Sequence, residues 1–444
     1  MRGAIIDERR WPGVARVPGG RLAGVRADLA RRAFTRALAR AGVVDVAADD
    51  AAGGRRIRIR DGALYARIAD SGWLGLGESY LAGEWDSDTL PETLAALLAT
   101  GLDTGPGGRL GRGLRTVAGP RPERAEADPG GDLPASLVAL YAGPGLAAGS
   151  ALFASGPATT RVEQEPLPGP GAGRRGAPER VPVEVTRVAD PVSPDRADLP
   201  AAQDRRVAAM LRLAGVRAGD RVLEWPAAGG AAAIAAAQAG AAADVLAVSD
   251  DAAEAVLAAA GAAGLAPAVR VLRAGDALPG PRAFPSDYDA ILCVERLETL
   301  GAAGLRTWLR DAERLLADRG RIVVQAAVAT GDFDETAAEA LQLTRSYVWP
   351  ALHHPSLAAL QRTVARDTGL RIVSRTHFPG HWAASLRLWR ARFAANSRQA
   401  AGLGYDRVYR RLWDYHLALQ EALVASGRLD MVLLELAAAP RPRR

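Results

Sequence analysis

The chain has 444 residues, enough for two or three domains with cores of their own. All 56 basic residues are arginine, set against 50 acidic ones, and the net charge of +6 is spread along the chain, which disfavours general nucleic-acid binding. A single cysteine, Cys293, excludes an intramolecular disulfide and a cysteine-based metal site, and inside an apolar run it reads as a small buried hydrophobe.

Residues 1–19 form a tail without the apolar core of a signal peptide, so the expected location is the cytoplasm. Residues 20–102 read as a small α+β domain. It opens with a basic amphipathic helix over 21–40 that puts Leu22, Val25, Leu29 and Ala33 on one face, ringed by Arg26, Arg31, Arg32, Arg36 and Arg40. Such a helix either docks on anionic lipid, as a peripheral membrane element, or covers its own domain with a solvated basic face. A strand at 56–60 alternates strictly, and a helix starts at Pro91.

Residues 103–132, rich in Gly, Pro and Arg, read as a flexible linker, and 133–155 as a short ordered segment. Residues 156–198, Pro/Gly-rich and charged with little periodicity, read as a disordered insert. From 199 to 438 a βαβα rhythm begins. A helix at 203–214 leads to a strand at 221–223 and a helix at 231–239; strands follow at 245–248, 269–273, 289–294 and 320–326, with a helix at 302–316. This is the pattern of an α/β, doubly wound, Rossmann-like parallel sheet. Further helices, one at 405–425, form a C-terminal extension, and 439–444 is a tail. Residues 225–243 are nearly uncharged over a membrane-spanning length, but their Ala/Gly content and proline fit a turn and helix packed on the sheet.

Seven phrases, in order, resemble the cyclopropane-fatty-acyl-phospholipid synthase family, in a divergent, actinobacterial-type form. They are Gly75-Leu-Gly-Glu-Ser-Tyr with Trp85, Ala202-Gln203, Asp220-Arg-Val-Leu-Glu224, Val294-Glu-Arg-Leu-Glu298, Tyr347-Val-Trp-Pro350, His381-Trp-Ala-Ala-Ser-Leu-Arg-Leu-Trp389 and Tyr409-Arg-Arg-Leu-Trp413. The resemblance implies a class I S-adenosylmethionine (SAM) methyltransferase fold and transfer of a methyl or methylene group to an unsaturated fatty-acyl chain in lipid metabolism. It implies SAM and bicarbonate as cofactors, and an unsaturated fatty-acyl phospholipid or membrane surface as partner.

Carried onto this sequence, the family's anion-holding glutamate matches Glu298 and its tyrosine Tyr347. Gln325 stands where classical members have histidine; it forms hydrogen bonds but does not titrate. Ala327 stands at an isoleucine position, and Ser150 in Ser-Ala-Leu-Phe153 matches a serine-containing loop. The cofactor turn is Val222-Leu-Glu-Trp-Pro-Ala-Ala-Gly-Gly230, where the fold's pattern is E-x-G-x-G-x-G. Glu224 keeps the acid, while the three glycine places hold Pro226, Ala228 and Gly230. Proline removes an N–H, and alanine adds a Cβ and disfavours positive φ. After the second strand Ser249 is kept, with Asp250 or Asp251 suited to a ribose hydroxyl, but Ala252 takes a glutamine place; Ala274-Gly275 replaces an acid, with Asp276 displaced.

Departures concentrated on cofactor contacts lead to the expectation of weakened or lost SAM binding, with a protein partner or a second copy of the chain then implied. Two alternatives stand beside it: an active methyltransferase with an atypical loop, and an Arg-rich adaptor for a lipid surface or nucleic acid.

Overall fold

The computed structural model describes residues 6–45, 54–102, 133–166, 180–285 and 287–439. The 103–132 linker, both extreme termini and the centre of the 156–198 insert lie outside them. By contacts the chain divides into two units. One comprises 1–127, 331–350 and 393–428; the other comprises 128–330, 351–392 and 429–444. Residues 199–438 are therefore not one contiguous domain: two pieces of the C-terminal region complete the core of the N-terminal one.

In the first unit, strands β1 (Val44–Asp45), β2 (Arg56–Ile59) and β3 (Trp85–Asp86) form a small sheet. The expected basic helix spans Ala23–Ala41 and buries Ala30, Ala33, Phe34, Ala37 and Leu38, so Ala33 belongs to the core face and not with Leu22, Val25 and Leu29. The Gly75-Leu-Gly-Glu-Ser-Tyr phrase is mostly packing. A Cβ on Gly75 would lie 2.0 Å from the Arg67 carbonyl, so only glycine lets the helices Ala63–Ser71 and Trp73–Ala82 approach. Ser79 accepts from Trp85 Nε1 at 2.9 Å, and the Tyr80 hydroxyl donates to Asp414 at 2.5 Å. Arg411, from the helix Arg407–Ala425, lies 3.9 Å from the Tyr80 ring centre. These contacts explain why a C-terminal helix is integral to this unit.

The second unit holds a sheet of nine strands among the described residues. They are β4 (Thr159–Pro166), β5 (Arg180–Arg187), β6 (Arg221–Glu224), β7 (Ala242–Ala247), β8 (Val269–Arg273), β9 (Tyr288–Val294), β10 (Leu316–Ala329), β11 (Leu370–His377) and β12 (Leu429–Ala438). Their order is β4-β5-β11-β12-β10-β9-β6-β7-β8. The run β10-β9-β6-β7-β8 is parallel, as the βαβα rhythm implied, and β12 enters antiparallel between β10 and β11. The chain goes to β7 and β8 on one side of β6 and to β9 and β10 on the other. That reversal opens a crevice at the carboxyl ends of β6 and β9.

The insert assigned to disorder is corrected at both flanks. β4 and β5 pair antiparallel over their full lengths, and β5 joins β11. Val181, Val183 and Val185 alternate with exposed Arg180, Pro182 and Glu184 and are 6, 0 and 1% exposed. Each valine buried this way contributes about 1.5–3 kcal/mol, enough to order a strand whose overall composition is charged. Among the described residues no helix is long and apolar enough to cross a membrane, and residues 231–238 form a helix of the sheet's flank.

Candidate active site

Glu224 ends β6 with its carboxylate turned into the following loop. Oε1 accepts from Ala228 N at 2.8 Å and Gly230 N at 3.0 Å, and Oε2 from Ala233 N at 3.1 Å. A buried carboxylate taking three N–H donors fixes the loop and the start of the helix Ala231–Gln238. Glu224 therefore shapes the candidate cofactor turn from inside. The positive φ values fall on Gly229 (91°) and Gly230 (75°), so Ala228 escapes the left-handed strain expected of it. What Ala228 retains is a methyl in a position only 3% exposed. Pro226, preceded by a cis peptide, leaves the turn one donor short. Trp225 points the other way, its Nε1 donating to the Ala277 carbonyl at 2.7 Å and its ring packing on Phe284 and Trp308.

Beyond β7, Ser249 caps the helix Asp250–Ala262, its hydroxyl accepting from Ala252 N at 3.2 Å. Asp250 pairs with Arg273, and Asp251 accepts from Ala135 N at 2.7 Å. Asp250 stays largely exposed, so an exchange of Arg273 for a hydroxyl ligand is open to it.

Three of the four candidate catalytic residues lie around the carboxyl end of β9: Ser150 and Gln325 through Glu295, and Glu298 on Ala327, two residues beyond Gln325 in β10. Gln325, fully buried, donates through Nε2 to the Ser150 carbonyl at 3.0 Å and to Glu295 Oε1 at 2.5 Å. Ser150 N donates to the same Glu295 oxygen at 2.6 Å. Glu298, 4% exposed, accepts from Ala327 N through Oε1, so Ala327 contributes its backbone. Burial, reinforced by the charge of Glu295, pushes the Glu298 carboxyl up to about 8 against the hydrogen bond from Ala327. Ser150 Oγ, Gln325 Oε1 and Glu298 Oε2 are each buried without a protein partner. Tyr347 belongs to the first unit. There its hydroxyl donates to Glu78 at 2.7 Å and its ring lies against Trp11.

Sequence reasoning passed over Glu295 and Arg206. Glu295 is one of three non-glycine residues with positive φ among those described, at 48°, a conformation costing about 1–2 kcal/mol. Arg206, on the helix Leu199–Ala214, is 1% exposed, with Met210 sulfur at 3.9 Å from Nη1 and Nε unpartnered. The charges of Glu295 and Glu224 act on it, while burial lowers its pKa. No local pattern flags either residue.

Segment 147–153 is clamped onto this region by side chains from three places in the sequence. Ala147 N donates to Gln203 at 2.9 Å, Ser150 N to Glu295, Ala151 N to Ser385 at 3.1 Å and Phe153 N to His381 Nδ1 at 3.0 Å. His381 Nε2 in turn donates to the Ala189 carbonyl at 2.9 Å, the bonding of a neutral imidazole, and burial lowers its pKa accordingly. The phrases around Gln203 and His381 thus hold the segment that carries Ser150. Ala147 also faces the cofactor turn: a Cβ on Gly229 would come within 2.9 Å of the Ala147 Cβ.

The chain is similar to several known proteins. The cyclopropane synthase MmaA2 from Mycobacterium tuberculosis is 20% identical, with a TM-score of 0.49 over 54% of this chain and 85% of that one. Mycolic acid cyclopropane synthase CmaA1, complexed with SAH and CTAB, is 23% identical, with a TM-score of 0.48 over the same shares of the two chains. The tuberculostearic acid methyltransferase UfaA1 of Mycobacterium tuberculosis is 30% identical over 96% of this chain and 95% of its own length. The family model described as mycolic acid cyclopropane synthetase matches residues 192–434. On the family match and the full-length relative, the chain belongs to the mycolic acid cyclopropane synthetase family.

Proposed function

We propose that this protein transfers a one-carbon unit from SAM to the double bond of an unsaturated fatty-acyl chain, with an affinity for SAM lowered by Pro226 and Ala228. The observation that carries the reading is the set of three buried, unpartnered oxygens on Ser150, Gln325 and Glu298. A buried polar atom left without a partner costs about 1–3 kcal/mol, so three in one region mark a place built for a polar ligand. A neutral Glu298 and the Ser150 hydroxyl offer two O–H donors, and Gln325 Oε1 offers an acceptor. That set suits bicarbonate, an anion with one O–H of its own. Bound there, it would supply a base next to the acyl chain.

The cofactor turn also fits its ligand in outline. Glu224 holds the loop, Gly229 and Gly230 take the positive φ values, and Ser249 and Asp250 lie at the next strand end. SAM supplies an electrophilic methyl group. The chain's own work is to exclude water around Gln325 and Glu298 and to set negative charge, through Glu295, near the reacting centre. The methyltransferase name of the full-length relative favours a methylated chain over a ring as product.

The test incubates the protein with SAM and vesicles of monounsaturated phospholipid, then examines the released acyl chains by mass spectrometry. A gain of one CH2, abolished by Glu298→Gln, is expected. In parallel, calorimetric titration with SAM should give a Kd of about 100 μM or weaker. Turnover with micromolar binding would restore a fully active enzyme, whereas absence of both SAM binding and mass gain would overturn one-carbon transfer.

A further inference from the structure

The exposed side of the helix Ala23–Ala41 carries an ordered row that the core does not use. Along one stripe, Leu22 at the N-cap and then Val25, Leu29, Arg32, Arg36 and Arg40 follow at spacings of three or four residues. Leu22, Val25 and Leu29 are 67, 61 and 58% exposed, three of the large apolar side chains most open to solvent among the described residues. Val17, just before them in sequence, is exposed as well. Arg32, Arg36 and Arg40 are exposed, and none of the three forms an ion pair among the described residues. The one acid of the helix, Asp28, is paired with Arg31. Ala30, Ala33, Phe34 and Ala37 on the opposite side already anchor the helix to its own unit, so the stripe is surplus to folding.

We propose that this stripe docks the protein on an anionic phospholipid bilayer. Leu22, Val25 and Leu29 enter the boundary between headgroups and acyl chains, and Arg32, Arg36 and Arg40 lie over lipid phosphates. Charge complementarity selects this occupant. A nucleic acid would use the arginines but leave three aliphatic side chains in water, and a second copy of this stripe would bring like charges together. A bilayer satisfies both halves of one row.

The experiment is vesicle co-sedimentation of the full chain with phosphatidylglycerol/phosphatidylcholine mixtures whose acyl chains are fully saturated, without SAM. Binding is then independent of the one-carbon chemistry, and either result stands whether or not the protein turns over. The wild type should pellet with anionic vesicles and lose most of that binding at 1 M salt, where screening acts within about 3 Å. Arg32→Gln/Arg36→Gln/Arg40→Gln should weaken partitioning roughly a hundredfold, at about fivefold per arginine. Val25→Asp/Leu29→Asp should remove it even at low salt. All substitutions are at exposed positions, and unchanged thermal melting will show that the variants fold. Wild type left in the supernatant, or variants that pellet like wild type, would overturn the proposal. So would a wild-type dimer that Val25→Asp/Leu29→Asp dissociates while vesicle binding is unaffected, or equal binding to duplex DNA by that variant and the wild type with no vesicle binding by either.

Discussion

Ser150 N and Gln325 Nε2 converge on one oxygen of Glu295, at 2.6 and 2.5 Å. Glu295 reaches that point because its backbone turns to a φ of 48° directly after β9. Residues far apart in sequence are thereby tied at the carboxyl end of the sheet, and the segment carrying Ser150 is fixed against β10.

Glu295→Gly should therefore have opposing effects. The strained φ becomes free, a gain of about 1 kcal/mol, while Ser150 N loses its acceptor and Gln325 Nε2 keeps only the Ser150 carbonyl, a loss of about 1–3 kcal/mol. The expected outcome is a small net change in global stability but faster amide exchange at Ser150, by roughly ten- to a hundredfold, in hydrogen-exchange measurements. Unaltered exchange at Ser150 would show that Gln203, Ser385 and His381 hold the segment without help.

Burial pushes the Glu298 carboxyl up to about 8 in the folded chain, against 4.5 for a glutamate side chain in water. Between those values the folded state keeps a proton that the unfolded chain has released, so this group's contribution to stability falls as pH rises through the window and levels off above it. Glu298→Gln carries no such proton. Urea denaturation from pH 5 to 9 should show the stability difference shifting in the variant's favour up to about pH 8 and then levelling off, and parallel profiles would contradict the raised value.

Restoring glycine at Pro226 and Ala228 should tighten SAM binding. One recovered donor is worth about 1 kcal/mol and relief of a buried methyl about 1–3 kcal/mol. The double variant should gain roughly thirty- to several-hundredfold in affinity by calorimetry. Because Ala228 carries no left-handed strain, most of any gain from position 228 will be steric. No gain at all would show that Pro226 and Ala228 do not limit SAM affinity, and would turn attention to Ala252 and Ala274.

Val183→Asp should destabilise the second unit by about 3 kcal/mol or more, because it buries a charge in the β5 row without a partner. Glu184→Gln, at the neighbouring exposed position, should change stability by less than about 0.5 kcal/mol. Equal, negligible effects in chemical denaturation would return residues 180–187 to a loosely packed insert.

The parallel strands β6 to β10, the helices between them and the turn at Glu224 were legible in the sequence, because each is encoded by local periodicity and a short run of turn residues. The alternation at Val181, Val183 and Val185 was equally local, but it is set within proline and charge, and only pairing with β4 and β11 makes burial of that row favourable. Glu298, Gln325 and Ser150 were legible as matches to a family pattern, and their unpartnered oxygens were not. The acceptors that hold segment 147–153 come from positions 203, 295, 381 and 385, and a side-chain acceptor tens to hundreds of residues away leaves no periodic mark. Membership of residues 331–350 and 393–428 in the first unit had the same origin. Sequence fixes which faces of a helix are apolar, whereas which core receives each face depends on chain topology, and that is settled only when the distant elements pack.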